Sequence, residues 1–358
     1  MVKNNLFFEL IKIGTNSSVS LSFKPTPMDW DEAFRFAKMH ALVGVLFAVV
    51  EQLPKEFYPP RKLMMEWFLS AERVKAMNQI VDSDSIKMCD VVRKDGQRGL
   101  VLKGQSVGTY YPNPLLRMPG DIDFWIEGGP KKVLRYLKSK GKVKNVVYTH
   151  SECDVPVNTE VEIHHNISFF YNPLYHYRFK KFLKGQNALF DNRVQLTCGG
   201  YIYAPTVEFN RYYILLHIYR HLLAEGIGLR QLMDYYYVLR QGGTKDSWLR
   251  TQDLLKKTGM CHFAEGIMWV MQEVFGLEDS FLLCSPNKRL GEKLLNEIML
   301  AGNFGKFDNR INWEHRKRLL PRVWGSVKRK FRFLYDYPLE LVFDIPARLG
   351  MYLWKFII

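Results

Sequence analysis

Cysteine is scarce in this sequence, and it forms no recognisable metal or disulfide motif. The 358 residues contain five cysteines, an odd number without a CxxC pair, at Cys89, Cys153, Cys198, Cys261 and Cys284. Structural zinc sites and disulfide-stabilised domains need regularly spaced cysteines. The sequence therefore predicts neither, and a reducing cytoplasm is the simplest location for the protein.

Long apolar runs are also missing. The longest run, 41–50, is shorter than the roughly 20 residues that a transmembrane helix needs. Residues 1–14 carry charges and lack the small-residue cleavage site of a signal peptide. Hydrophobic residues make up 47% of the chain, which is too high for disorder and enough for a sizeable core. We expect a folded cytoplasmic protein that can carry two domains.

Acidic residues are few relative to basic ones. The chain has 36 Asp and Glu against 51 Lys and Arg, a formal net charge of +15. Such a balance favours anionic partners such as nucleotides, nucleic acids, acidic glycans or anionic lipids, although a merely basic soluble protein is the alternative. The sequence contains no motif for reading nucleic acid, so we expect no specific nucleic-acid partner.

The apolar pattern predicts helical ends around a mixed middle. Four regions follow from it: a helical region at 1–95, an α/β core at 96–205, a helical domain at 206–302 and a basic, aromatic helical tail at 310–358. The predicted strands are 99–103, 121–126, 143–150 and 160–167, a hairpin is predicted at 194–204, and the predicted helices are 30–53, 62–93, 130–140, 207–241, 248–258, 263–275 and 288–300.

Most of the chemical information lies in the segment 102–126, LKGQSVGTYYPNPLLRMPGDIDFWI. Asp121 and Asp123 open an apolar run typical of a buried strand, where side chains two residues apart share a face. Two carboxylates this close repel each other, and burial adds a desolvation cost. A divalent cation offsets both, and Mg²⁺ favours carboxylate oxygens together with substrate phosphates. The pair therefore predicts phosphate chemistry with Mg²⁺ or Mn²⁺.

A phosphate-binding turn is predicted just before this pair. Gly104 and Gln105 lie in the turn, and Ser106 offers a hydroxyl to a phosphate oxygen. Lys103 and Arg117 would neutralise the charge of a bound triphosphate. The structural alternatives are a solvated strand-end lysine for Lys103 and an ion pair with an aspartate for Arg117.

The strand VEIHH, residues 161–165, supplies the remaining candidates. Glu162 is the predicted third carboxylate. Together with Asp121 and Asp123 it would clamp two metal ions, which would activate the acceptor hydroxyl and stabilise the leaving pyrophosphate. His164 shares the face of Glu162 and could position or deprotonate an acceptor hydroxyl. A purely structural, hydrogen-bonded His164 is the alternative.

These segments resemble the bacterial uncharacterised nucleotidyltransferase-like family of the polymerase-beta superfold. The resemblance rests on LKGQS, on YYPNPLLRMPGDIDF, on VEIHH and on His221 followed by GxxLRQLMDY, and it spans roughly residues 30–300. It implies an α+β fold, in which a small mixed-sheet nucleotidyltransferase-like core is flanked by N-terminal and C-terminal helical regions. It also implies a metal-binding carboxylate triad and a place in surface polysaccharide or natural-product biosynthesis. The superfold usually has Gly-Ser or Gly-Gly at the phosphate turn, whereas this chain has Gly104-Gln105-Ser106.

The later helices contribute candidates for the acceptor side. The resemblance places His221, Arg230 and Asp234 near the cleft. Arg230 and Asp234 lie one helical turn apart and could equally form an ordinary ion pair. His217 and His221 lie one helical turn apart, the spacing of the two histidines in an HExxH zinc motif. The glutamate of that motif is absent, which favours a packing role for the two histidines.

We expect a metal-dependent nucleotidyltransferase that moves a nucleoside monophosphate from an NTP to a hydroxyl of an unknown acceptor. One alternative is a glycosyltransferase with a DxD motif, which should show a Rossmann-like run of strands before that motif. Another is a non-catalytic scaffold with the same fold. In the tail, the clusters 316–318 and 328–330 predict either binding to an anionic membrane surface or a packed helical appendage with solvated charges.

Overall fold

The computed structural model describes residues 5–16, 20–141, 143–308, 310, 331–356 and 358. The helices are α1 Leu6–Thr15, α2 Pro27–Met39, α3 Val43–Val50, α4 Arg61–Lys94, α5 Gly104–Gly108, α6 Gly129–Lys140, α7 Pro173–Lys184, α8 Val207–Ala224, α9 Leu229–Arg240, α10 Lys245–Lys257, α11 Cys261–Phe275, α12 Lys288–Ala301, α13 Pro338–Val342 and α14 Asp344–Trp354. The strands are β1 Gly99–Leu102, β2 Ile122–Ile126, β3 Val143–Lys144, β4 His150–Cys153, β5 Val161–His164, β6 Arg193–Gln195 and β7 Tyr201–Tyr203.

A small mixed sheet lies at the centre of the fold. Its strand order is β1-β2-β5-β4-β3, and a separate hairpin pairs β6 with β7. Strands β2 and β5 run parallel, while β1 lies antiparallel to β2 and β4 lies antiparallel to β5. The predicted α+β class, with a small mixed sheet and flanking helices, is confirmed.

Strand β2 separates two apolar clusters. Ile122, Phe124 and Ile126 belong to a cluster with buried residues of α4 and α6. Trp125 faces the opposite side and joins the larger cluster, which includes buried side chains of α1, α8, α9 and α11. Because residues two apart share a face, the alternation also directs Asp123 toward the helical side. The alternation thus fixes which face of the sheet carries the polar groups.

Several predicted boundaries need correction. The predicted helix 30–53 is two helices, α2 and α3, because Ala41 adopts a positive φ of 58° between them. Thr26 is the N-cap of α2, and Asp29 completes its capping box. The predicted strand 143–150 is short β3 followed by a loop, and α7 has no counterpart among the predicted elements.

Helix α14 packs on the core and also exposes apolar side chains. Trp354 contacts Tyr148 and His165, whereas Ile345, Leu349 and other apolar residues of the helix are solvent-exposed. The basic clusters 316–318 and 328–330 lie outside the described residues. Across the described part of the chain, no helix combines the length and the apolarity that crossing a membrane requires.

Candidate active site

Strand pairing brings the predicted carboxylates together. In the register of β2 and β5, Asp123 lies directly opposite Glu162, and Leu102 of β1 lies opposite Asp123. Paired residues on adjacent strands point to the same face of the sheet, and Asp121 comes two residues before Asp123. Residues distant in sequence therefore converge at one place on the sheet.

The three carboxylates form a tight group. One oxygen from each of Asp121, Asp123 and Glu162 can be chosen so that all lie within 4.8 Å of one another. Asp123 is buried, Glu162 is half-buried and Asp121 is exposed. Oxygen ligands with this spacing suit a hard divalent cation such as Mg²⁺ or Mn²⁺.

Two nitrogen donors meet at the buried aspartate. Asp123 Oδ1 lies 2.8 Å from Lys103 Nζ and 2.8 Å from His164 Nε2. Burial by itself would raise the pKa of Asp123, but Lys103 and His164 outweigh it and lower this pKa well below the usual range. Asp123 is therefore ionised at neutral pH.

The other two carboxylates differ in their environments. Partial desolvation in the recess and the nearby charge of Asp123 raise the pKa of Asp121 to about 6. Burial opposes ionisation of Glu162 as well, but a hydrogen bond with His164 leaves the pKa of Glu162 lowered. The cost of holding three negative charges together is thus greatest at Asp121, the carboxylate most open to an incoming cation.

Lys103, which contacts Asp123, lies in a turn with a strained backbone conformation. Lys103 has a φ of 50° and a ψ of −133°, which is rare for a residue other than glycine. Gly104, with a φ of 32°, follows it at the start of α5, and a Cβ added to Gly104 would meet no atom within 4 Å. The turn leaves open space beside Gly104 while Lys103 reaches Asp123.

A cavity of about 660 Å³ surrounds this group. One wall comes from the sheet and the turn, with Gly104 and the three carboxylates. The opposite wall comes from α8 and α9, with His217, His221 and Arg230, and Phe304 also lines the space. The volume suits a small-molecule ligand that contacts acidic and basic groups at once.

The sequence of this chain also matches a known family. A profile of the family described as uncharacterised nucleotidyltransferase matches residues 26–276, more than half of the chain. The chain belongs to this family. Membership supports a nucleotidyl-transfer function.

Other comparisons add little. The chain is similar to an antigenic nucleotidyltransferase-like protein from Paracoccidioides brasiliensis, at 13% identity and a TM-score of 0.34, over 62% of this chain and 98% of that one. This likeness is too distant to carry an argument. No curated protein matches the sequence.

The predicted nucleotide-binding residues fall into two groups. Lys103, Gly104 and Arg117 line the cavity, whereas Gln105 and Ser106 do not. Gln105 is buried and donates its amide to Asp82. Ser106 is buried and donates its hydroxyl to the Lys103 carbonyl at 2.7 Å. The two side chains therefore make hydrogen bonds within the protein next to the turn and do not face the cavity.

Arg117 forms an ion pair with an aspartate, which was the structural alternative to phosphate binding. Its Nε and Nη2 lie 2.7 and 2.8 Å from the two carboxylate oxygens of Asp234, and Tyr111 donates to the same carboxylate at 2.7 Å. Both charged side chains are buried. Asp234 therefore pairs across the fold with Arg117, and the predicted helical pair with Arg230 is replaced by this contact.

On the predicted acceptor side, the buried guanidinium of Arg230 has a nitrogen that makes no hydrogen bond with the described residues. Arg230 is 9% exposed and donates from Nη1 to the Met118 carbonyl at 3.1 Å, while its Nε has no hydrogen-bond partner among the described residues. His221 Nδ1 lies 2.8 Å from Glu225, and its ring contacts that of His217. All three predicted residues, His221, Arg230 and Asp234, line the cavity.

Sequence reasoning missed His150. This residue starts β4, lies opposite His164 in the register, and places Nδ1 3.2 Å from Glu162 Oε2. No motif marks it, since its neighbours form a loop and a short strand. Its antiparallel position beside the VEIHH strand was the only available signal, and it required knowing that β4 pairs with β5.

Proposed function

We propose that this protein transfers a nucleoside monophosphate from an NTP to a hydroxyl of an acceptor, with Mg²⁺ or Mn²⁺ held by Asp121, Asp123 and Glu162. The single observation that carries the proposal is the convergence of these carboxylates within 4.8 Å inside a cavity of ligand size. The donor set fits the ion because hard cations take carboxylate oxygens together with phosphates. When bound, divalent ions would stabilise the leaving pyrophosphate and activate the attacking hydroxyl.

The remaining residues would have distinct roles. Lys103 would exchange part of its contact with Asp123 for a phosphate oxygen once a cation neutralises that carboxylate. Gly104 would let a phosphate approach the backbone of the turn. His164 would hold Asp123 and Glu162 in their positions, and Arg230 would present its unpartnered Nε to an anionic group in the cavity.

Metal-dependent nucleotide binding is the first expected outcome. Calorimetry of ATP, CTP, GTP and UTP, each with and without Mg²⁺, should give binding of at least one NTP that requires the ion. The variant Asp121→Asn with Asp123→Asn should lose this binding while remaining folded, which circular dichroism would verify. Its unfolding temperature should fall, because Lys103 and His164 lose their ionised partner.

Asp253→Asn provides a matched control. Asp253 is a surface residue of α10 that pairs with Lys257 outside the cavity, so this variant should bind nucleotide as the wild type does. Metal-dependent binding that survives in the double variant would contradict the proposal. Failure of all four NTPs with the wild type would favour a non-catalytic scaffold instead, and transfer of a hexose from a sugar nucleotide would favour the glycosyltransferase alternative.

A further inference from the structure

Two imidazoles lie beside the carboxylate group. Glu162 Oε2 lies 3.2 Å from His150 Nδ1 and 3.5 Å from His164 Nε2. One ligand atom from each of these three residues can be chosen so that all lie within 4.8 Å of one another. Glu162 thus belongs to two potential ligand sets, one of oxygens and one with two nitrogens.

The spacing matches that of ligands on one metal ion. Zinc binds imidazole nitrogen and carboxylate oxygen at about 2.0–2.2 Å, so neighbouring ligands in a tetrahedral or octahedral shell lie roughly 3.0–3.5 Å apart. The two measured separations from Glu162 fall at this distance. We propose that His150, Glu162 and His164 form an additional metal site, which takes a divalent ion with affinity for imidazole, such as Zn²⁺, Co²⁺ or Mn²⁺.

The backbone holds both histidines in place. His150 and His164 are partners in the β4–β5 register, and their rings make an edge contact with centroids 5.3 Å apart. His164 is 5% exposed, and Nε2, the nitrogen that faces Glu162, would exchange its 2.8 Å contact with Asp123 for the metal ion. A buried ring whose position is set by a strand loses little entropy when it binds a metal ion.

Glu162 would bridge the additional ion to the carboxylate site. This inference rests on the proposed function, since both sites share Glu162, but it adds an ion of a different class: Mg²⁺ prefers oxygen ligands, whereas imidazole suits later transition metals.

Direct metal binding tests the inference. The full-length apo protein would be titrated calorimetrically with Zn²⁺ in saturating Mg²⁺, and with Co²⁺ while the ligand-field absorption is recorded. We expect wild-type protein to bind Zn²⁺ despite Mg²⁺, and His150→Gln to bind it at least tenfold more weakly, with a changed Co²⁺ spectrum. His262→Gln is the matched control, because His262 lies on α11 outside the cavity and should leave both readouts unchanged.

Two results would overturn the additional site: Zn²⁺ binding that Mg²⁺ abolishes, or equal Zn²⁺ affinity and the same Co²⁺ spectrum in wild type and His150→Gln. Circular dichroism would establish that His150→Gln is folded. Binding of Mg²⁺ with NTP, measured on the same preparations, separates this inference from the proposed function. Intact Mg-NTP binding without imidazole-dependent Zn²⁺ binding refutes the additional site alone, and the reverse result supports it while refuting nucleotide transfer.

Discussion

Among single residues, His40 makes the clearest prediction about pH. It is fully buried at the end of α2, stacks on Phe7 and Phe36, and accepts a hydrogen bond from the Leu229 N–H. Burial, assisted by the charge of Arg35, lowers the pKa of His40 to about 3. Below the ordinary histidine pKa of about 6.5, His40 is therefore protonated in the unfolded chain but not in the folded chain. The free energy of unfolding falls as the pH decreases through this range.

The expected size of the effect follows from this linkage. When the pH falls from 7.5 to 5.5, protonation of His40 in the unfolded chain should lower the free energy of unfolding by about 1.4 kcal/mol. Urea denaturation at both pH values would measure it. His40→Gln keeps an acceptor for Leu229, and its loss of stability over this interval should be smaller than the wild-type loss by that amount. Equal losses in the two proteins would show that His40 does not carry this pH dependence.

The sequence predicted the site residues unevenly, for reasons that are visible residue by residue. Asp121, Asp123 and Glu162 were predictable because each lies in a strand pattern, where alternation and charge repulsion imply a shared cation. An ion pair of Arg117 with an aspartate was one of the two expectations, but its partner was not predictable, because Asp234 lies on α9 and only the tertiary fold brings the two together. His150 had no local signal at all.

At the scale of elements, helix α3 approaches the segment that leads into the site. A Cβ added to Gly44 would lie 2.3 Å from the carbonyl oxygen of Leu116, the residue before Arg117. Glycine is therefore required sterically at this crossing, although it weakens a helix. Any larger residue must push α3 away from the segment that positions Arg117.

We expect Gly44→Ala to lower the free energy of unfolding by about 1–3 kcal/mol through overpacking. Gly350→Ala in α14 is the matched control, because its Cβ would meet no atom within 4 Å. The control should be neutral or stabilising by up to about 1 kcal/mol, as alanine favours helices. Urea denaturation of both variants measures the difference, and equal effects would contradict the close approach.

Element prediction succeeded for two long periodic segments, whereas the predicted helix 207–241 is two helices, α8 and α9. The predicted helix 62–93 corresponds to α4, and the predicted helix 130–140 corresponds to α6, which ends at Lys140 with Gly141 as its C-cap. The break at Ala41 was missed because a non-glycine residue at positive φ has no sequence signature. Strand β4 was displaced because its half-buried sequence, HSEC, lacks an apolar alternation.

At the scale of the molecule, one buried ion pair joins the helical region to the sheet. Asp234 of α9 binds Arg117, in the segment just before β2, and Tyr111 bonds to the same carboxylate. Burial opposes ionisation of Asp234, but Arg117 outweighs it and lowers the pKa of this carboxyl. The pair is fully formed at neutral pH, and it fixes the segment that carries Asp121 and Asp123 against the helices that form the opposite wall of the cavity.

Substituting one partner of this ion pair should destabilise the protein more than substituting both partners. Arg117→Met or Asp234→Leu leaves an unpaired buried charge and should cost about 3–5 kcal/mol of unfolding free energy, whereas the double variant should recover most of that loss. A double-mutant cycle from urea denaturation measures the coupling. If Arg117 acts through position alone, the double variant should also bind Mg-NTP within a few-fold of wild type. A double variant as stable as wild type but unable to bind nucleotide would instead place the guanidinium in direct contact with the phosphates.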